Sequence, residues 1–278
     1  MKFLICAPPY NDKSGGIVVL HELQKEMTDL GYDAHLAIFV PHTETQTRYY
    51  GPAYMEDILE NGIVVYPEVI TGNPLGAKRV VRYFLNKEGF ASGNKVEAGE
   101  NDFIMTFSRI YRPDAHAVLT KEATNPAFNT DGSEYVLDRT IDCTYIGKGK
   151  LYGDCRVVEG TTEITRTWPE TKQELADLLK KTRFLFMYDT MTAMITDSLR
   201  CGAIPVILMF KPFSEEEIDT NYFGKVPRAT VQNGNVFIPN DFDQTRANYL
   251  GKIDYVATQH SKILGEVIEQ IKRHFQNV

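Results

Sequence analysis

The sequence predicts an α/β protein of two lobes, each a mainly parallel sheet flanked by helices, set around a central cleft. Three observations predict it. Solid or period-two apolar runs alternate with amphipathic helical segments, glycine and proline punctuate the junctions, and the alternation weakens once, between Tyr111 and Asp138, before restarting. The expected division is 1–130 for the first lobe and 131–255 for the second. Residues 256–278 form a C-terminal helix with the option of packing back on the first lobe.

The elements follow in order. Lys2–Ala7 reads as a strand, and the loop Pro8 to Gly16 opens a helix with Leu20, Leu23, Met27 and Leu30 on its apolar face. Gly31 ends that helix as a left-handed cap would. Ala34–Val40 is the second strand, stopped by Pro41. A short helix around Met55–Leu59, a strand at Ile63–Tyr66, a helix near Leu75–Leu85 and a strand at Phe103–Phe107 complete a βαβαβαβ pattern. Pro113, Pro126, Asn129, Asp131 and Gly132 mark a linker or hinge.

In the second half, Ile141–Ile146 is a strand followed by the turn Gly147-Lys148-Gly149-Lys150. Thr171-Lys172-Gln173-Glu174 is a capping box opening a helix with Leu175, Leu178 and Leu179 inward. Phe184–Tyr188 and Ile204–Met209 are strands around a helix at Thr192–Arg200. The acidic run Glu215-Glu216-Glu217 starts a solvated helix, and the last helix, Ala257 to Phe275, turns Leu264, Val267, Ile268 and Ile271 to one side. Both halves are Rossmann-like, and ligands in such sheets bind outside the carboxyl ends of the strands.

Composition bounds the function. A length of 278 residues suits one large or two compact α/β domains, and 43% hydrophobic with 24% charged residues is ordinary for a globular protein. No apolar run approaches the ~20 residues that cross a bilayer, and the start of the chain lacks the features of a signal peptide. Cys6, Cys143, Cys155 and Cys201 show no metal-ligand spacing, so a reducing cytoplasm is the expected location. A net charge of −7 weighs against a broad nucleic-acid surface, although Lys78, Arg79, Arg82 and Arg109 offer basic residues for a local groove.

Three motifs carry chemistry. Ser14-Gly15-Gly16 lies between a strand and a helix; bare backbone amides there suit a diphosphate or a sugar ring, and a turn needing positive φ explains the pair equally well. Gly147-Lys148-Gly149-Lys150 has turn glycines and an ammonium able to neutralise phosphate, but not Walker A spacing; a surface turn with solvated lysines explains the tetrapeptide taken alone. The third motif runs from Tyr188 to Ile207: strand end, Asp189, the loop Thr190-Met191-Thr192, a helix carrying Asp197, Cys201-Gly202, and a Pro-Val-Ile strand. Both carboxylates fall toward one crevice, where they suit the paired hydroxyls of a ribose or hexose, and the loop amides suit a phosphate. Either Asp alone reads more simply as an N-cap or a solvated helix position.

This third segment resembles the donor-binding signature of GT-B glycosyltransferases of the family-4 kind: two acids separated by seven residues, then a small-residue break and a Pro-Val-Ile strand. Gly15-Gly16 with its helix resembles the N-terminal glycine loop of those enzymes, and Tyr145-Ile146-Gly147-Lys148-Gly149 the first strand and turn of their C-terminal domain. Both acids here are Asp where that family usually has Glu, the segment from Tyr49 to Asn129 carries no matching motif, and the chain is short for the fold.

The resemblance implies a hexosyl- or pentosyltransferase taking a UDP- or other NDP-sugar donor, with no further cofactor and no metal. Donor-binding residues would be Gly15, Gly16, Gly147, Lys148, Tyr188, Asp189, Thr190, Met191, Thr192 and Asp197, with Asp197 on the ribose or its equivalent. Lys148, with Lys150 or Arg139, would neutralise the leaving diphosphate. Asp189, Lys148 and His116 are the expected catalytic groups, His116 standing as base or acceptor contact near Ser108, Arg109, Arg112 and Asp114. Ser108 and Arg109 are expected to bind the acceptor. His21 suits packing, and Trp168, before a helix, suits either the core or a wall for a base or sugar. The acceptor is a glycan, a lipid-linked glycan or, as in small phage enzymes, a hydroxymethylated pyrimidine in DNA. A sugar-nucleotide epimerase and a non-catalytic nucleotide-sugar-binding subunit are the alternatives from other classes.

Overall fold

The computed structural model describes residues 1–38, 52–90, 93–121, 125–130, 136–220 and 223–276, with backbone alone at position 52. The chain divides into two compact units, one of Met1–Lys121 with Val256–Val278, the other of Glu122–Tyr255. Both are mixed α/β with parallel main sheets.

The first unit begins with β1 (Lys2–Ala7), α1 (Gly15–Asp29), β2 (Asp33–Ile38), α2 (Pro52–Asn61) and β3 (Ile63–Pro67). It continues with β4 (Val80–Phe84), β5 (Phe103–Thr106) and β6 (Ala117–Val118). The six strands lie in the order β2-β1-β3-β4-β5-β6, all parallel. β1 is apolar on both faces because both are covered. Phe3, Ile5 and Ala7 pack under α1 with Leu20, Leu23 and Met27, whereas Leu4 and Cys6 meet Ile58 of α2.

The first helix follows its expected face except at its end. Val18 and Val19 are buried with Leu20, Leu23 and Met27, but Leu30, one residue beyond the helix, is 43% exposed. Gly31 takes the left-handed conformation, φ +85°. Residues 39 and 40, expected to finish the second strand, lie outside the described residues.

The expected helix near Leu75–Leu85 is instead a turn followed by β4, registered Val64 to Val80 on β3. Val80, Val81, Tyr83 and Phe84 are β-branched or aromatic and all buried, which suits a central strand. Arg82 hides that pattern. It is 1% exposed, donates to Asp102 at 2.7 Å and to the Ile70 carbonyl at 3.3 Å, and lies over the Tyr66 ring. Arg82 therefore cannot line a surface groove, and Lys78 is paired with Glu60.

The second unit has β7 (Ile141–Tyr145), β8 (Thr162–Ile164), α3 (Lys172–Lys181), β9 (Thr182–Met187), α4 (Met194–Arg200) and β10 (Ile204–Ile207). After α5 (Glu215–Thr220), β11 (Thr230–Gln232) and β12 (Asn235–Phe237) form a separate antiparallel hairpin. The main sheet runs β10-β9-β7-β8, all parallel. The capping box forms as expected: the Glu174 amide donates to Thr171 Oγ1 at 3.2 Å, and Glu174 accepts the Thr171 amide at 3.0 Å. Arg139, expected near phosphate, is buried and donates to the carbonyls of Leu179, Thr182 and Cys201. It completes the carboxyl ends of two helices and stays inside the fold.

The last helix, α6 (Phe242–Gln276), starts fifteen residues before the expected Ala257. Its early stretch shows only Phe242, Tyr249 and Ile253 buried, too sparse to read as a face, and Gly251 interrupts it. Its later stretch belongs to the first unit, where Leu264, Val267, Ile268 and Ile271 join the α1 side of the core. There the His260 ring meets the Thr120 carbonyl at 3.0 Å and the Glu26 carboxylate at 2.8 Å, and Lys121 pairs with Glu26.

Replacing Arg82 by Leu removes the buried guanidinium from the partly buried Asp102 carboxylate, which keeps only the Gly99 amide at 3.0 Å. The expected loss is about 3–5 kcal/mol in urea unfolding. A change within 0.5 kcal/mol of zero, typical of a surface substitution, would show that the ion pair does not support β4.

Candidate functional site

In the second unit β8 lies on one side of β7 and β9 on the other. Connections leaving the carboxyl ends of β7 and β9 therefore run in opposite directions, which is where an open parallel sheet forms its crevice. The β7 connection is the 3₁₀ turn Gly147–Leu151, and the β9 connection is the loop from Tyr188 to Ala193.

Asp189 fastens these two loops together. It is 4% exposed; its Oδ2 accepts the Lys148 amide at 3.0 Å and its Oδ1 accepts the Met191 amide at 3.2 Å. The Lys148 ammonium donates to the Met191 carbonyl at 2.5 Å and stands 3.7 Å from Asp189 Oδ1. Burial pushes the Asp189 carboxyl above its usual range, and the neighbouring Lys148 charge opposes that shift. Each Asp189 oxygen thus accepts one of the protein's own amides, which fixes the two loops against each other.

Two glycines fit this junction for steric reasons. Gly147 has φ +54°, and a Cβ there would stand 2.7 Å from Asp189 Oδ2. A Cβ on Gly149 would meet the Tyr188 Cβ at 2.5 Å. Close packing of the two loops accounts for both residues without any ligand. Met191 is buried, and Thr190 is buried with a hydroxyl that finds no hydrogen-bond partner among the described residues. Thr192 Oγ1 accepts the Met194 amide at 3.3 Å, just ahead of α4.

Asp197, one turn into α4, is 6% exposed, and among the described residues its carboxylate accepts no hydrogen bond. Burial pushes its pKa up to about 7, against the attraction of Lys172 and Arg200. The two acids of the motif have opposite circumstances. Asp189 accepts an amide on each oxygen, and Asp197 is buried with the charges of Lys172 and Arg200 to offset its desolvation.

The first unit has its own switch point, between β1 and β3. Gly15 and Gly16 open α1 there; nothing lies within 4 Å of a Cβ on Gly15, and one on Gly16 would touch Leu85 at 3.7 Å. Ser14 makes no side-chain cap. Glu68, directly after β3, is buried at the same edge and accepts the Leu85 amide at 3.0 Å. The sequence reading passed over it, although a carboxylate just beyond a strand at a switch point was a usable signal.

Ser108, Arg109 and His116 do not assemble. Ser108 follows β5 at the carboxyl edge but is buried, its Oγ accepting the Ile110 amide at 3.4 Å. Arg109 folds onto its own loop, donating to the carbonyls of Pro113 and Ala115. His116 precedes β6 and lies at the amino edge of the sheet, opposite to the edge that binds ligands in such folds. Its Nδ1 accepts the Ile104 amide at 2.8 Å, and its ring stacks on Phe103 with centroids 5.0 Å apart. Burial, then the His274 ring, hold it below the ordinary histidine range. Fold packing accounts for all three.

Arg166 was also missed. It follows β8 by two residues, is exposed, and is close enough to Asp189 and Tyr145 for its charge to favour ionisation of both. Trp168, in the same turn, is 45% exposed, so the core placement does not hold. Among the described residues no group of three or more His, Cys, Asp or Glu side chains could hold a metal ion, and no helix is long and apolar enough to cross a membrane.

Two outcomes follow from this geometry. Gly147→Ala combines an unfavourable φ with a clash against Asp189, and is expected to cost about 1–3 kcal/mol in chemical denaturation; an unchanged midpoint would contradict the steric account. Asp197 has a folded pKa of about 7 against an ordinary 3.8, so the native state binds its proton more tightly than the unfolded chain does. The stability it contributes is complete below about pH 4 and is lost as pH rises through about 7. Asp197→Asn should therefore match the parent near pH 4 and exceed it in melting temperature above about pH 7. Equal melting temperatures across that window would show that the carboxylate is not desolvated.

No family model matches the sequence, and no curated protein matches it. Among solved structures the chain is similar to the glycotransferase of kitacinnamycin, at 10% identity over 98% of this chain and 95% of that one, with a TM-score of 0.38. At that level the overlap fixes neither the fold nor the chemistry of this chain.

Proposed function

We propose that the chain is a glycosyltransferase whose second unit holds a nucleotide-sugar donor at the carboxyl edge of β7 and β9. The observation that carries this reading is Asp197: a carboxylate on a residue only 6% exposed that accepts no hydrogen bond among the described residues, eight positions after the carboxylate that locks the preceding loop. An unpaired buried acid is costly, and that cost falls when a ligand brings hydroxyl donors to it. The vicinal hydroxyls of a ribose meet this need, each donating to a carboxylate oxygen.

The remaining residues take roles suited to that placement. Departure of a nucleoside diphosphate breaks the bond between the anomeric carbon and the phosphate oxygen, and charge collects on the leaving oxygens. The acceptor hydroxyl forms the new bond to the anomeric carbon and gives up its proton. Lys148 and Arg166 supply fixed positive charge beside the loop, and Asp189 holds Lys148 there. A group preorganised in this way needs little rearrangement as the leaving charge develops.

A thermal-shift panel of nucleoside diphosphates and nucleotide sugars tests the reading, because a ligand that binds only the native state raises its melting temperature. At least one nucleoside diphosphate should raise it, and Asp197→Ala should abolish the rise while remaining folded by circular dichroism. Nucleotide affinity retained in that variant removes Asp197 from the site. No response to any nucleotide would sink the donor assignment itself.

A further inference from the structure

At the amino edge of the first sheet β6 is only two residues long, and the residue before it extends the pairing. The His116 amide donates to the Ile104 carbonyl at 2.8 Å, and the Ile104 amide donates to His116 Nδ1, also at 2.8 Å. One histidine thereby meets both backbone groups of Ile104. A backbone amide can only donate, so Nδ1 presents a bare lone pair and the proton of the neutral ring is on Nε2. This position requires the neutral ring. A proton on Nδ1 would face the Ile104 N–H and break that hydrogen bond.

The same ring joins the last turn of α6 to the sheet. His116 stacks on Phe103 with centroids 5.0 Å apart, and the His274 ring lies 5.4 Å from Phe103 and 5.3 Å from His116. His274 Nε2 meets the Asn101 carbonyl at 3.0 Å. The start of this returning stretch is held separately, by His260 on Glu26 and the Thr120 carbonyl. Nearby anions are already paired: Asp114 with Arg112 at 2.8 Å, Asp102 with Arg82, and Glu269 with Lys272. On α6, Arg273 donates to the Glu269 carbonyl beside His274. A cation at His116 would thus stand against a second imidazole, with only Asp114 drawing it the other way. His116 is exposed, so protons reach it directly from solvent.

We propose that His116 is an acid-sensitive latch for the end of α6: a proton on Nδ1 parts the ring from the Ile104 amide, sets a charge against His274 and frees the last turn of α6 from the amino edge. The latch stands apart from the donor reading above and does not depend on it. Its direction follows from the proton state the fold prefers. Burial, then the His274 ring, hold the His116 pKa below the ordinary histidine range. The stability that His116 contributes is therefore complete above about pH 6.5, the ordinary histidine value, and is lost as pH falls through the lower folded one.

Amide hydrogen exchange of the full chain, corrected for the intrinsic effect of pH, reads this edge directly. Between about pH 7.5 and about pH 5, protection at Ile104 and in the last turn of α6 is expected to fall about tenfold, while the stretch after His260 keeps its protection. His116→Asn puts an amide oxygen where Nδ1 stands and cannot titrate, so its protection at Ile104 should not change with pH. His274→Gln keeps a donor for the Asn101 carbonyl and removes the neighbouring imidazole, so the loss should move to higher pH. Protection of the parent that is constant across this range overturns the latch, and so does an acid loss of the same size in His116→Asn. The unaltered protein gives a check that needs no variant. Its imidazole nitrogen resonances at neutral pH should show the Nε2–H tautomer for His116, and the Nδ1–H tautomer would overturn the Ile104 hydrogen bond on which the latch rests.

Discussion

The carboxyl edge of the second unit depends on one carboxylate. Asp189 accepts amides from two loops that leave the sheet in opposite directions, and it keeps the Lys148 ammonium close by. Each hydrogen bond to a charged group contributes about 1.5–3 kcal/mol, while burying the carboxylate costs several kcal/mol. The two roughly offset, so the gain is positional. The Gly147–Leu151 turn and the Tyr188–Ala193 loop keep a fixed separation, and the glycines at 147 and 149 are the residues that tolerate it. A side chain at either position would press on Asp189 or Tyr188 and part the loops.

Asp197 reads differently against that background. The two acids share a motif and are both buried, yet each Asp189 oxygen accepts an amide, whereas Asp197 accepts no hydrogen bond among the described residues. A protein that needed two structural carboxylates would satisfy both, since an unmet buried charge is the larger penalty. The asymmetry separates their circumstances: Asp189 joins the two loops, and Asp197 retains acceptor capacity that the described residues do not use. Its raised pKa expresses the same condition, because proton uptake is the available relief while no donor is present.

Where sequence was informative, periodicity and local chemistry agreed. β1 and α1 were legible because their apolar residues keep a strict period against polar neighbours, and the Thr171–Glu174 box because its two hydrogen bonds are local. β4 was misread because Arg82 sits inside an apolar run, and its acceptability depends on Asp102, twenty residues away. The first half of α6 was invisible because only three buried residues mark it. At the candidate site, the strand, loop and helix of the motif form about where they were expected, but side-chain roles depend on contacts that spacing does not encode. Asp189 turned inward, Arg139 went to three carbonyls, and His116 went to the amino edge. Glu68 and Arg166 share a signal that was available: each lies within two residues of the end of a parallel strand.

The charges around this edge point the same way as its geometry. Lys172 is the first residue of α3, where the helix dipole is positive and a cation is disfavoured by about 0.3–1 kcal/mol. Lys148 and Arg166 add two more positive charges on the neighbouring connections, in a chain whose net charge is −7. Asp189 and Asp197 offset part of this, but both are buried, while Arg166 and Trp168 remain open to solvent on a fixed turn. Lys172 lies over the Phe128 ring and acts on Asp197, and Lys148 stands beside Asp189, so both of these cations are compensated within the fold.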